Sequence, residues 1–382
     1  GGAADDLVLQ ASVLNRLNAE SLLIGGLRSF TPGGVTVAVN ADNLTLDNAG
    51  AKLLGPDIIL VAKSRVTLDK NSQIEATGEK AALDNITLGQ ATAGSGDGAL
   101  VRVSGNRSGG VSRIGVTDSP LPGLFVRDGA SLKGGSIFLD STSQTSLSSS
   151  AKLNSAALSI SSGQISIQLN DPGALNPTTG IVLAGGALAN LQESSERLNL
   201  LSYSSLDIYG TGKVGSRSIE QLSLQANAIR GFNTGDGTVT FSAKNLQLGN
   251  AAGLAAAPPL AEALSGSILF DVDRMTLGAN ALRMDHFANV TIAADNGVVI
   301  SGIGRLDAAG NLELITPVVT GQSSANYQIA SSGSVRLKRP ATAADEAPAG
   351  GFGAKLTLEG TRVKVDSDIR LASGQLTLHG TS

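Results

Sequence analysis

Cysteine and tryptophan are absent from the 382 residues, and histidine and methionine occur only twice each. Without cysteine, a disulfide scaffold and a thiolate metal site are excluded. His286 and His379 are the only imidazoles, so a zinc site built from three or more histidines of one chain is excluded too. Aromatic residues make up 3% of the chain and charged residues 16%, against about 25% charged in an ordinary protein. Few charges and a hydrophobic fraction of 41% argue against a disordered polyelectrolyte. The net charge is −4 and there is no basic block, so nucleic acid is not an expected partner. The opening residues carry no basic segment followed by an apolar one. Either a signal has been removed or the chain is an internal segment of a longer protein. Two long uncharged stretches, 172–192 and 314–335, are broken by Pro, Gly and small polar residues. The apolar part of the first, 181–189, is too short to span a bilayer.

Glycine is plentiful: 48 residues, about one in eight against roughly one in fourteen on average. It lacks the every-third-residue period of collagen. It alternates instead with a recurring short strand of the form apolar-Thr-apolar, as in Val35-Thr36-Val37, Leu44-Thr45-Leu46, Val66-Thr67-Leu68, Ile86-Thr87-Leu88 and Leu376-Thr377-Leu378. A second group places Gly and a small polar residue first, as in Gly135-Ser136-Ile137-Phe138-Leu139 and Gly266-Ser267-Ile268-Leu269-Phe270. Strand starts at Leu246, Ile268, Val290, Leu312, Val335, Leu356 and Leu376 are 22, 22, 22, 23, 21 and 20 residues apart. Leu44, Val66 and Ile86 are 22 and 20 apart, and Ile137, Leu158 and Ile181 are 21 and 23 apart. A period near 22 implies one structural unit per repeat, with neighbours stacked.

A leucine-rich repeat would need L-x-x-L-x-L-x-x-N, and no run of that pattern is present. Each period instead holds two or three short strands separated by Gly, Asn, Ser or Asp. The expected fold is therefore all-β: a right-handed parallel β-helix of roughly 22-residue rungs, read as one solenoid over 1–382. At about 4.8 Å per rung, roughly 17 rungs would make a rod of about 80 Å. Medium aliphatics suit its narrow interior, and Gly and Asn suit its corners. The period breaks near 105–123, 187–197, 251–264 and 339–353, which read as insertions, the second with a short helix. Insertions on a solenoid project from the turns and are favoured places for binding.

The stretches Asn18-Ala19-Glu20-Ser21-Leu22-Leu23-Ile24-Gly25-Gly26-Leu27-Arg28 and Leu201-Ser202-Tyr203-Ser204-Ser205-Leu206-Asp207-Ile208-Tyr209-Gly210 resemble segments of filamentous haemagglutinin-family exoproteins, as do the Gly-x-apolar-x-apolar rungs along most of the chain. The resemblance implies a Gram-negative secreted or cell-surface protein, exported by two-partner secretion through an outer-membrane transporter. It also implies a β-helical shaft serving adhesion or cell contact, with a host or neighbouring-cell receptor or glycan as partner. That family's secretion module carries Asn-Pro motifs near its start. Here the one Asn-Pro is Asn176-Pro177, mid-chain, so the expectation is an internal piece of shaft.

Polysaccharide lyases and hydrolases also use the β-helix, and they need carboxylates clustered on one outer face, often with Arg. Asp271 and Asp273 flank Val272 beside Arg274, and Asp366 and Asp368 flank Ser367 near Arg370. Either pair suits Ca²⁺ or solvated surface charge, and the latter is the ordinary fate of alternate strand positions. Gly94-Ser95-Gly96-Asp97-Gly98 and Gly235-Asp236-Gly237 read as turns, since calcium-binding glycine repeats come in tandem. His286 beside Asp285 reads as structural, and His379 as exposed. Tyr203 and Tyr209 are candidate sugar-stacking platforms, Tyr209 facing outward. No catalytic, cofactor-binding or metal-ligating residue is assigned, and an enzyme is not expected. A lyase or hydrolase, or a glycan-binding insertion, is the alternative.

Overall fold

A computed structural model describes residues 7–31, 34–78, 85–170, 177–255, 263–341 and 348–381. The chain is all-β: 57% is strand, and among the described residues α-helix is confined to Ala11–Asn15 and Gly185–Ser194. Among the same residues no helix is long and apolar enough to cross a membrane. Contacts divide the chain into two units. The first is residues 1–163 with 179–181 and 193–195; the second is the rest.

In the first unit the repeat makes parallel pairs. Asn43–Leu46 pairs with Arg65–Leu68, that with Gly123–Val126, and that with Gln144–Leu147, giving a column Leu44, Val66, Leu124, Thr145. A second parallel sheet stacks Leu53, Ile74, Leu132 and Leu153. A third contains Leu22–Ile24, Asp57–Ala62, Ser136–Ser141 and Ala157–Ser162, and its inner columns include Ile58, Ile137 and Leu158, and Leu60, Leu139 and Ile160. Apolar side chains at every second residue face one interior and are almost wholly buried.

One strand in that third sheet runs backwards. Ala99–Ser104 lies antiparallel to both Asp57–Ala62 and Ser136–Ser141, with Val103 between Ile58 and Ile137 and Val101 between Leu60 and Leu139. Alternation has period 2 and no direction, so a reversed strand still sends the right residues inward. The strands flanking it in the chain, Asn85–Gly89 and Gly110–Ile114, join two earlier ones in an outer sheet, in which Gly34–Val39 lies between Gly26–Thr31 and Asn85–Gly89, with Gly110–Ile114 on the far side. Its Val35, Val37, Ile86 and Leu88 pack on Ile59, Val61, Leu100 and Phe138, making a second core between this outer sheet and the third sheet. Two buried ion pairs lie beside this core: Arg102 Nε donates to Asp57 at 2.8 Å, and Arg113 Nε to Asp140 at 3.0 Å.

The outer surface carries charge ladders. Glu75 lies directly opposite Lys133 across the sheet, and its carboxylate takes 2.8 Å bonds from both Lys133 and Lys52. These bonds, Lys133 first, hold its pKa down at about 2, from 4.5. The folded value is depressed, so the contribution is present above about 4.5 and is lost as pH falls through about 2. An NMR titration should place the Glu75 midpoint near 2, and in Lys133→Gln it should move back toward 4.5. A wild-type midpoint at the ordinary value would sink this account.

The second unit repeats the scheme. Ile268, Val290, Leu312, Val335 and Val363 form one column, and Phe241, Phe270, Ile292, Leu314, Leu337 and Val365 its neighbour. Leu222, Leu246, Met275, Val298 and Val319 line a further column of the same sheet. A separate parallel sheet stacks Leu282, Leu306, Ile329, Leu358 and Leu378. Two of the interior aromatic rings are met by a glycine on a neighbouring strand. A Cβ on Gly304 would lie 2.5 Å from the Tyr327 ring, and one on Gly231 2.5 Å from Phe287. The helix Gly185–Ser194 overlaps the expected insertion at 187–197, starting two residues before it, and buries Leu188 and Leu191.

Several sequence-based assignments of strand starts need correction. Ile86 does not continue the Leu44–Val66 column. It pairs with Val35 in the outer sheet, and the partner of Val66 beyond Leu44 is Leu124. Leu246 pairs with Met275 and not Ile268, while Leu356 pairs with Tyr327 and Leu376, away from Val335. The cause is physical: several separate sheets are built from the same apolar-x-apolar motif, so spacing alone mixes them. At the insertions 251–264 and 339–353 the pairing skips a step among the described residues. Ala228–Phe232 pairs directly with Asn280–Asp285, and Val318–Gly321 with Asp368–Arg370. Their segments 256–262 and 342–347 lie outside the described residues, as does Asn176. The segment 105–123 is the end of a longer excursion that includes the reversed strand and two of the outer strands, Asn85–Gly89 and Gly110–Ile114.

Candidate functional site

Asp271 and Asp273 take alternate positions of the strand Ser265–Leu277, between the buried Phe270, Val272 and Met275. Their shared cation is Arg217, not the adjacent Arg274. Arg217 Nη2 donates to Asp271 at 2.6 Å, Nη1 bonds Asp273, and Nη2 also reaches Asp295 at 3.1 Å. Asp295 follows Ala294, the register partner of Val272, so it repeats the Asp273 position on the next rung. Burial by itself lowers the Arg217 pKa, but hydrogen bonds and charge from Asp271 and Asp295 outweigh it and raise it. A guanidinium thus sits among these three carboxylates. Neither Arg217 nor Asp295 carries a sequence signal, because the partners lie 54 and 56 residues from Arg217.

Asp366 and Asp368 do not form a pair. Asp366 ends one strand and bonds Lys364 at 2.8 Å. Asp368 opens the next and takes bonds from Arg370 at 2.9 Å and Arg339 at 3.1 Å. Among the described residues no group of three or more His, Asp or Glu is arranged to hold a metal ion.

The tyrosine platforms are closed. Tyr209 is 6% exposed and its ring stacks on Phe232 at 5.1 Å, while Tyr203 is 8% exposed. His286 meets Phe232 edge-on at 5.0 Å and holds the Gly231 carbonyl at 3.2 Å through Nδ1. Its φ of 70° turns the chain there, so the simple alternation expected for Asp285 and His286 fails, and both are buried. The neighbouring Asp207 binds Arg230 through both carboxylate oxygens at 2.7 Å. His379 is exposed, 4.0 Å from Glu359.

Among the described residues the first unit has a cleft of about 390 Å³, lined by outer-sheet residues and by Lys63, Ser64 and Pro122. The Gly94–Gly98 turn forms part of its wall. Asp97 lines it, but its carboxylate faces Thr117, accepting from the backbone N–H at 2.8 Å and from the hydroxyl. Ser95 likewise bonds Gln90 and Thr92 of its own loop. Spacing did not point to this cleft, because its walls come from five separate segments of chain. Compared with protein-family models, curated proteins and solved structures, the chain matches none.

Proposed function

We propose that the chain is part of a right-handed parallel β-helical shaft, belonging to a secreted or surface-exposed adhesin of the filamentous haemagglutinin type. The observation that carries this reading is the stacking of like on like. Parallel strands pair at steps such as Ile268 to Val290 to Leu312, while the paired-off charges described above leave little free chemistry on the outer faces. Each rung buries aliphatic surface against its neighbours at roughly 25 cal/mol per Å², a stability that grows with length and suits a load-carrying stalk. Absence of cysteine suits a chain threaded unfolded through an oxidising periplasm to an outer-membrane transporter. Its partner in use would be a receptor or glycan on another cell.

The test has two arms. Beads coated with the purified chain should be retained on host or neighbouring bacterial cells above albumin-coated beads. Incubation with a panel of polysaccharides should release neither reducing ends nor unsaturated products. No retention would sink the adhesive role, and product release would replace it with the lyase or hydrolase alternative.

A further inference from the structure

The cleft of the first unit has an uneven supply of hydrogen-bonding groups. Asp97, its acidic residue, has both carboxylate oxygens engaged by Thr117. Lys63, its cation, has a weak hold: its ammonium lies 3.8 Å from Asp42, and both side chains are more than half exposed. The hydroxyls of Ser29 and Ser64 and the side-chain amide of Gln90 have no protein partner among the described residues. The Ser64 backbone is already used, its N–H by Asp42 and its carbonyl by Gly123, so its hydroxyl is the group left to a ligand. Beside Ser64, Leu121 is 75% exposed and is followed by Pro122, an apolar shoulder in the lining of the cleft.

A ligand that fits must be rich in acceptors, carry negative charge for the ammonium, and present an apolar face to Leu121 and Pro122. Simple anions lack the face, and neutral sugars lack the charge. A pyranose uronate has all three: a carboxylate, a ring of hydroxyls, and a C–H face. The volume falls within the 300–1,000 Å³ or so typical of small-molecule sites. The geometry points to this cleft as a binding site for uronic-acid-containing saccharides, with Lys63 taking the carboxylate and Gln90, Ser29 and Ser64 the hydroxyls. Gln90, Leu121 and Pro122 come from the excursion that also reverses the strand Ala99–Ser104, while Ser29, Lys63 and Ser64 come from chain before it, and the site stands or falls independently of the shaft reading.

Isothermal titration of the full chain with an oligogalacturonate tests it, with the fully methyl-esterified oligomer and citrate as comparators. Expected is saturable binding of the oligogalacturonate, weaker by about tenfold or more for the ester, for citrate, and in Lys63→Gln. Leu121→Ser should weaken binding as well. Lys63 and Leu121 lie on the surface, so circular dichroism should match wild type in both variants. Lys244→Gln, an exposed lysine of the second unit, serves as a charge control and should leave affinity unchanged. No binding of oligogalacturonate, equal binding in Lys63→Gln, or an equal loss in Lys244→Gln would each overturn the assignment.

Discussion

Replacing Arg102 with Met is expected to destabilise the first unit by about 3–5 kcal/mol, the cost of leaving a buried carboxylate without its cation. Asp57 is 0% and Arg102 1% exposed, and they meet at 2.8 Å. Asp57 also accepts from Ser21 at 2.6 Å, and Ser21 in turn accepts from Arg28 at 2.7 Å. This network ties the reversed strand to the opening strands of the unit. Burial pulls the Arg28 pKa down, with Asp57 opposing and Arg102 adding to the pull. Native-state hydrogen exchange at the amides of Ala99–Ser104 reads the loss directly. The double variant Asp57→Leu, Arg102→Met should recover much of it, because two apolar groups need no mutual partner. Equal protection in Arg102→Met and wild type would show that the ion pair contributes nothing.

Phe270→Ala should cost the second unit about 3–5 kcal/mol, from lost transfer energy together with the cavity left in a close-packed column. Phe270 is fully buried between Phe241 and Ile292, and its ring lies 5.8 Å from that of Phe241, nearly parallel at 19°. Such stacking adds about 0.5–1.5 kcal/mol, so a cycle of Phe241→Leu, Phe270→Leu and the double variant should return a coupling of that size. In a stacked repeat each rung leans on its neighbours, so protection should fall most in Thr238–Gly249, Ser265–Leu277 and Phe287–Ala294. A uniform loss over the whole unit would contradict nearest-neighbour stacking. A cost below about 1 kcal/mol would mean that the column closes over the gap.

The sequence made the strands legible because an inward residue at every second position leaves a local mark. Val290-Thr291-Ile292 and Leu312-Glu313-Leu314 announce themselves, and their 22-residue step is the real register. Side-chain identity carries less. Ile86-Thr87-Leu88 reads like any rung yet belongs to the outer sheet, and Ala99–Ser104 reads as a strand with no sign of its reversed direction. The chemistry was less legible still. Asp271 and Asp273 stand out in the chain, but Arg217 and Asp295, which decide what those carboxylates do, arrive from other rungs.

The absence of cysteine was enough to exclude metal-thiolate and disulfide proteins, and a regular apolar alternation was enough to require strands. Those are properties of composition and of neighbours one or two residues apart. Which strand meets which, in what direction, and which charge faces which were decided by the tertiary structure. Alternation is the same read forwards or backwards, and an ion pair spanning 45 residues, as between Asp57 and Arg102, leaves no periodic trace in the chain. The cleft at Lys63 follows the same logic: its polar groups are ordinary surface residues until folding brings five separate segments around one space.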